Sequence, residues 1–206
     1  MNKREFMYDW RKMSDEERAE VLAIRKGRGL AWHSPPHLEF VGFVTFIITA
    51  ACYEHAHIIG VSAERMAECE KEILEICRKA DAEIFAWCIL PNHYHILVRT
   101  DNIKFLRREI GQFHGRSARF WNKEDQAQVR QIWFNFFDRE MKSNRHFWAS
   151  VNYIHHNSVK HGYVEKWQDW AFSSAINFLE KHGKAETLKI WNEYPILDYG
   201  KDWDIY

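Results

Sequence analysis

The sequence predicts an α+β domain built on an antiparallel sheet. Strand-forming stretches and amphipathic helical stretches follow one another in the order strand, helix, strand, strand, helix, strand. The composition, 46% apolar and 16% aromatic, is that of a folded chain, and 206 residues suffice for one domain with extensions. This order is the split β-α-β pattern. We therefore predict a ferredoxin-like sheet with helices on one face, an N-terminal helical arm and a C-terminal helix or tail.

The predicted strands are rich in Val, Ile, Phe and Thr. The first two predicted helices of this domain carry apolar stripes, Ser62 is the predicted cap of the first, and Ser143 or Asn144 is the predicted cap of the third. We predict strands at 40–53, 83–90, 94–99 and 132–137. We predict helices at 62–80, 102–121, 143–156 and 172–182.

The region before the first strand has the pattern of an appendage. Ser14 and Glu17 have the spacing of a capping box, which predicts a helix that ends at Gly27 or Gly29. Pro35-Pro36 favours an extended linker after it. We divide the chain into a basic helical extension, a central domain and a tail: 1–37, 38–182 and 183–206.

Composition narrows the class of function. The four cysteines form no Cys-x-x-Cys pair, so neither a zinc module nor a disulfide framework is indicated. No apolar run is long enough to cross a bilayer, and we expect a cytoplasmic protein without a membrane partner. The net charge is zero, but residues 102–166 hold twelve Lys and Arg against six Asp and Glu. A solvated helix face and a phosphate-binding surface are both consistent with this excess.

Two histidines follow a break between the second and third predicted strands. Pro91-Asn92 interrupts the strand-forming run, and His93 and His95 come directly after it. Alternate residues of a strand point to the same face, so the two imidazoles share one face. Such a pair can chelate a divalent ion through neutral ring nitrogens. The alternative is a half-exposed strand whose polar face carries histidine by chance.

A second group of polar residues lies on the third predicted helix. Tyr153 and Asn157 are four residues apart and therefore lie on one face, one turn from each other. A tyrosine can be a covalent nucleophile, and an amide oxygen is a suitable ligand for a hard metal ion. The alternatives are a core aromatic for Tyr153 and a helix C-cap for Asn157.

Both groups together resemble a known family. Leu90-Pro91-Asn92-His93-Tyr94-His95-Ile96-Leu97-Val98, followed by Tyr153-Ile154-His155-His156-Asn157-Ser158-Val159-Lys160-His161-Gly162, is similar to the single-tyrosine HUH transposases, and most closely to the REP-associated tyrosine transposases. The resemblance covers roughly 40–178 and extends to 32–37. Ser158 stands where the family usually has proline, and Tyr94 fills a position that is merely hydrophobic in the general pattern.

The resemblance implies roles for these residues. Tyr153 would be the nucleophile, and His93, His95 and Asn157 would bind a divalent metal, Mg or Mn. The expected activity is nicking and rejoining of single-stranded DNA beside a hairpin through a 5′-phosphotyrosine, by a homodimer or a monomer. The basic residues that we expect to bind this DNA are Arg107, Arg108, Arg116, Arg119 and Lys160. The alternatives are a non-catalytic hairpin-binding protein and a metal-dependent phosphodiester hydrolase that uses activated water.

Overall fold

The structure is a computed structural model, and it describes residues 13–27, 42–197 and 199. The predicted linker at 32–37 and the last seven residues of the predicted tail lie outside the described residues. The chain divides into two units, Met1–Leu38 and Glu39–Tyr206. Each unit is described by itself below.

The first unit contributes one helix, α1, which spans Asp15–Gly27. Its capping box is formed as predicted: the Glu17 amide donates to Ser14 Oγ, and the Ser14 amide donates to Glu17 Oε2 at 2.9 Å. Two backbone donors at the helix start are thereby satisfied, which stabilises the first turn.

The second unit contains a four-stranded sheet in the order β2-β3-β1-β4, with every neighbouring pair antiparallel. The strands are β1 Val44–Ala51, β2 Glu83–Ile89, β3 His93–Thr100 and β4 Phe137–Glu140. The helices are α2 Ala63–Lys79, α3 Ile103–Glu124, α4 Asn144–Lys160, α5 Ala175–His182 and α6 Lys184–Glu193. Short 3₁₀ turns occur at Tyr53–His55, Ile59–Val61 and Trp167–Asp169. The predicted α+β class and split β-α-β order are confirmed.

Helices cover both faces of the sheet, which corrects the prediction that they lie on one. Phe46 and Ile96 point to the face covered by α2 and α3. Ile47 and Leu97, their neighbours in sequence, point to the face covered by α4, α5 and α6. The central strands are apolar on both sides, and exposing either side to water would cost hydrophobic free energy.

The edge strand β4 begins five residues later than predicted. Only Phe137 of the predicted strand 132–137 lies in β4, and Phe137–Glu140 pairs with Thr49–Phe46 of β1. The apolar side chain of Trp133 instead packs against α3: its ring stacks on His114, with centroids 4.1 Å apart, and its Nε1 donates to Ser117 Oγ. Trp133 also forms a single antiparallel bridge with Cys52, in which the Tyr53 amide donates to Ile132 O and the Phe134 amide donates to Ala51 O. The apolar pattern in this segment therefore reflects burial beneath α3 together with one isolated bridge, and not a continuous strand.

The predicted tail also contains regular structure. Residues 184–193 form α6, and its Ile190 and Trp191 are buried in the same core as Phe178 of α5. The predicted last helix starts three residues late, at Ala175, because Ser173 and Ser174 bind the β2 backbone: Ser174 Oγ accepts from the Trp87 amide at 2.9 Å. These contacts attach the C-terminal helices to β2, on the sheet face that α4 also covers.

Candidate active site

The two histidines open strand β3 and are buried. Both rings lie on the face that Leu97 shares, with centroids 5.0 Å apart, whereas Tyr94 points to the opposite face. The predicted common face is therefore observed. The two imidazoles lie at the interface between the sheet and α4.

Helix α4 carries its polar groups to the histidines. Ser143 Oγ caps the helix by accepting from the His146 amide, and apolar residues such as Val151 and Ile154 pack it on the sheet. The ring of Tyr153 lies 5.1 Å from that of His95. One turn later, Asn157 Oδ1 lies 2.9 Å from His93 Nε2. Two pairs of residues from distant parts of the sequence, one on β3 and one on α4, thus meet in one buried cluster.

The donor set is compatible with a hard divalent ion. Ligands that bind Mg at about 2.1 Å and at right angles to each other are about 3 Å apart. The 2.9 Å between His93 Nε2 and Asn157 Oδ1 matches that spacing. The described residues contain no group of three or more His, Cys, Asp or Glu that could hold a metal. Any ion here would therefore bind the two histidines and an amide.

Two partners of the histidines were not predicted from the sequence. Thr49 Oγ1 lies 2.8 Å from His95 Nδ1, and Asn92 Oδ1 lies 2.7 Å from His93 Nδ1. A second polar contact of this kind fixes the orientation of a ligand imidazole. Two features of the sequence could have indicated these partners. Thr49 is the single hydroxyl residue within the apolar stretch Phe46–Ala50, and Asn92 is adjacent to His93.

The end of α4 adds two basic side chains. Lys160 Nζ lies 4.9 Å from the centre of the Tyr153 ring, close enough for a cation–π interaction. His161 caps the helix, and its ring centroid is 4.9 Å from that of His93. His161 was not among the predicted catalytic, metal-binding or DNA-binding residues. Its signal is the four-residue spacing of Tyr153, Asn157 and His161, which places all three on one helical face.

Comparison with known proteins was decisive for the family. Residues 45–166, more than half of the chain, match the family model described as Transposase IS200 like. The chain belongs to the IS200-like transposase family.

The resemblance to REP-associated tyrosine transposases is also confirmed. This chain is 32% identical over 110 residues to a protein of Haemophilus influenzae assigned to that group, a match that covers 48% of this chain and 62% of the relative. It is 29% identical over 107 residues to the REP-associated tyrosine transposase of Escherichia coli, covering 50% of this chain and 59% of the relative. The matches thus span less than two thirds of the length of either relative.

A solved structure shares the fold. A REP-associated tyrosine transposase bound to a REP hairpin aligns with a TM-score of 0.53 at 23% identity, over 68% of this chain and 81% of that chain. This agreement supports the sheet order and the placement of the helices in this chain.

The predicted DNA-binding arginines lie on α3, which covers the sheet face opposite the histidine pair. Arg107 is mostly buried and binds Asp138 through two hydrogen bonds. Arg116 is exposed and pairs with Glu72, which is partly exposed. Arg108 and Arg119 are exposed. Of the five predicted basic residues, Lys160 is the one that the structure brings to Tyr153.

No helix in the described part of the chain is both long enough and apolar enough to pass through a bilayer.

Proposed function

We propose that this protein nicks and rejoins single-stranded DNA beside a hairpin through a covalent 5′-phosphotyrosine at Tyr153. One observation carries the proposal. The phenol ring of Tyr153 lies on the buried face that holds His93 and His95, within one helical turn of Asn157. Membership of a transposase family supports DNA strand transfer as the reaction class.

The proposed reaction conserves the phosphodiester bond energy. The Tyr153 oxygen forms a bond to phosphorus and loses its proton, while the bond from phosphorus to the DNA 3′ oxygen breaks. The products are a free 3′-hydroxyl and a 5′-phosphotyrosine. Rejoining is the reverse: a 3′-hydroxyl attacks the phosphotyrosine, and the phenol leaves with a proton.

The residues around the phenol have separate tasks. His93, His95 and Asn157 would hold a divalent ion, Mg or Mn, which as a Lewis acid would polarise the scissile phosphate. Lys160 bears positive charge beside the Tyr153 ring and attracts the phosphate toward the nucleophile. Packing between α4 and the sheet keeps the phenol from bulk water, since Tyr153 is fully buried.

The proposed substrate follows from the structural relative, which is bound to a REP hairpin. Tyr153 and the histidine pair belong to one chain, so a single copy carries every proposed catalytic group. A monomer would therefore suffice for cleavage, and a homodimer is not required to complete the site.

The test is the formation of a covalent protein–DNA adduct. A hairpin oligonucleotide with a single-stranded cleavage arm is labelled at its 3′ end and incubated with Mg or Mn, and products are separated under denaturing conditions. We expect the label to migrate with the protein, and Tyr153→Phe to abolish this species while hairpin binding stays within about twofold. Tyr94→Phe is the matched control, because Tyr94 is an equally buried phenol on the opposite sheet face.

The outcomes separate the alternatives. Binding of the hairpin without any cleavage would favour a non-catalytic hairpin-binding protein. Metal-dependent cleavage that persists in Tyr153→Phe would favour a hydrolase that uses activated water.

A further inference from the structure

The turn that precedes His93 is held by the segment 52–60, which follows strand β1. The Cys52 amide donates to Asn92 O at 2.7 Å, and the Gly60 amide donates to Pro91 O at 2.9 Å. The two segments are so close that a Cβ on Gly60 would lie 2.3 Å from Pro91 Cβ. The backbone of Pro91-Asn92 is therefore fixed by two hydrogen bonds and by close packing against the segment 52–60.

The side-chain amide of Asn92 is held at both ends. One end lies 3.1 Å from the backbone carbonyl of His55, and the other lies 2.7 Å from His93 Nδ1. A carbonyl oxygen can only accept a hydrogen bond, so the end of the amide at His55 must be the donor Nδ2. The end at His93 is then the acceptor Oδ1, and His93 Nδ1 must carry the hydrogen.

The carbonyl that orients Asn92 belongs to an uncommon piece of backbone. Glu54 and His55 are consecutive non-glycine residues with positive φ, 53° and 51°. Such residues are infrequent and persist only where the surrounding structure favours them. This left-handed pair begins three residues after the end of β1 at Ala51 and presents the His55 carbonyl to Asn92.

We propose that Asn92 is a positioning residue that holds His93 in the Nδ1–H tautomer, and that the left-handed turn at Glu54 and His55 holds Asn92. With hydrogen on Nδ1, the lone pair of His93 lies on Nε2, the atom that faces Asn157 Oδ1 at 2.9 Å. Two acceptor atoms at that distance are suited to a shared cation. Asn157 Nδ2 is buried and has no hydrogen-bond partner among the described residues.

The role in metal binding rests on the proposed function, whereas the tautomer does not. Outer partners that fix a ligand imidazole typically change metal affinity by about 10- to 100-fold when they are removed. Asn92 would act on the metal only through His93, and its effect should appear in the tautomer of that ring before any metal is added.

The experiment reads the tautomer directly, by long-range ¹⁵N–¹H NMR of the metal-free protein labelled at histidine. The His93 signals are assigned by their loss in His93→Gln. We expect wild-type His93 to show hydrogen on Nδ1, and Asn92→Ala to show a mixture that includes hydrogen on Nε2. Asn92→Asp keeps an acceptor at the same place and should keep the Nδ1–H form.

Manganese supplies the second readout, because Mn²⁺ broadens the signals of a nearby ring even when it binds weakly. The Mn²⁺ concentration at which the His93 signals reach half of their maximal broadening should rise at least about tenfold in Asn92→Ala. Asn122→Ala is the matched control: Asn122 also donates its Nδ2 to a backbone carbonyl, that of Arg130, but at the end of α3. It should leave the His93 tautomer and the manganese midpoint unchanged.

An Nε2–H tautomer in wild-type His93 would overturn the proposal, whether or not the variants fold. An unchanged tautomer in folded Asn92→Ala would also overturn it. If the tautomer behaves as expected but wild-type protein forms no Tyr153 adduct, the proposed function fails and the positioning role of Asn92 stands.

Discussion

Asn157 Oδ1 lies 2.9 Å from His93 Nε2 and thereby links helix α4 to strand β3. This contact joins two sequence segments that carry different parts of the proposed chemistry. The helix brings Tyr153, the proposed nucleophile, and the strand brings both histidines. A change at this contact should therefore alter metal dependence before it alters DNA binding.

Asn157→Ala is expected to raise the metal concentration needed for half-maximal cleavage, with activity partly restored at high Mn. The variant removes one proposed ligand and leaves both histidines in place, and a hard ion with few protein ligands binds weakly. The measurement is the cleavage rate as a function of Mn and Mg concentration. The double variant His93→Ala, His95→Ala is the limiting case and should not be rescued. Full cleavage by this double variant in excess metal would refute the assignment of the metal site.

Arg107→Ala and Arg119→Ala should separate folding from DNA binding. Arg107 and Asp138 have only 12% and 4% of their side chains exposed, so loss of the guanidinium leaves a buried carboxylate poorly compensated. We expect a loss of about 3 kcal/mol in the free energy of unfolding. Arg119 is exposed, so Arg119→Ala should leave stability within about 0.5 kcal/mol and reduce the salt dependence of hairpin binding by about one counterion.

Urea denaturation and binding titrations at several salt concentrations provide these two measurements. Equal affinity for blunt duplex and hairpin DNA at physiological salt would contradict the proposed substrate. An unchanged salt slope in Arg119→Ala would remove that residue from the DNA-binding surface.

Gly60→Ala should destabilise the protein, because the new Cβ would lie 2.3 Å from Pro91 Cβ and 2.7 Å from Pro91 Cα. Backbone must move to relieve such an overlap, and we expect a cost of about 1–3 kcal/mol together with reduced cleavage. Gly111→Ala is the matched control, since a Cβ there meets nothing within 4 Å inside helix α3. It should be neutral or stabilise by up to about 1 kcal/mol. Equal effects of the two changes in thermal denaturation would show that Pro91 can yield without cost.

His114 should make the fold sensitive to mild acid. Its ring is buried beside Trp133 and Tyr94, and this burial lowers its pKa to about 3. An unfolded chain binds a proton at this histidine near pH 6.5, whereas the folded chain does not until about pH 3, so stability falls as the pH drops through that window. Between pH 7 and pH 5 this single group should cost about 2 kcal/mol.

The measurement is the free energy of unfolding in urea at the two pH values. His114→Gln should lower stability at pH 7, because it removes the ring that stacks on Trp133. Between pH 7 and pH 5, the free energy of unfolding of this variant should fall by about 2 kcal/mol less than that of the wild type. An identical pH dependence in the two proteins would contradict a neutral, buried His114. His155, whose pKa burial also lowers to about 3, accounts for a further part of the acid sensitivity in both proteins.

The sequence by itself determined the features that depend on neighbouring residues. Ser62, Asn102 and Ser143 cap α2, α3 and α4 by accepting from amides three residues ahead, and such contacts need no other part of the chain. The common face of His93 and His95 follows from the two-residue period of a strand, and the common face of Tyr153 and Asn157 follows from the helical period. Local geometry therefore sufficed to find both halves of the candidate site.

Only the tertiary structure decided how the halves meet. An apolar stretch such as 132–137 is typical both of a strand and of a segment that a helix covers. The position of β4 at Phe137–Glu140 is set by its pairing with β1. The second partners of the histidines, Thr49 and Asn92, depend on strand register and on the carbonyl of His55. The contacts of Thr49 with His95 and of Asn92 with the His55 carbonyl join groups that are far apart in sequence. Their distances are set by the packing of strands and turns against one another, which no local sequence period predicts.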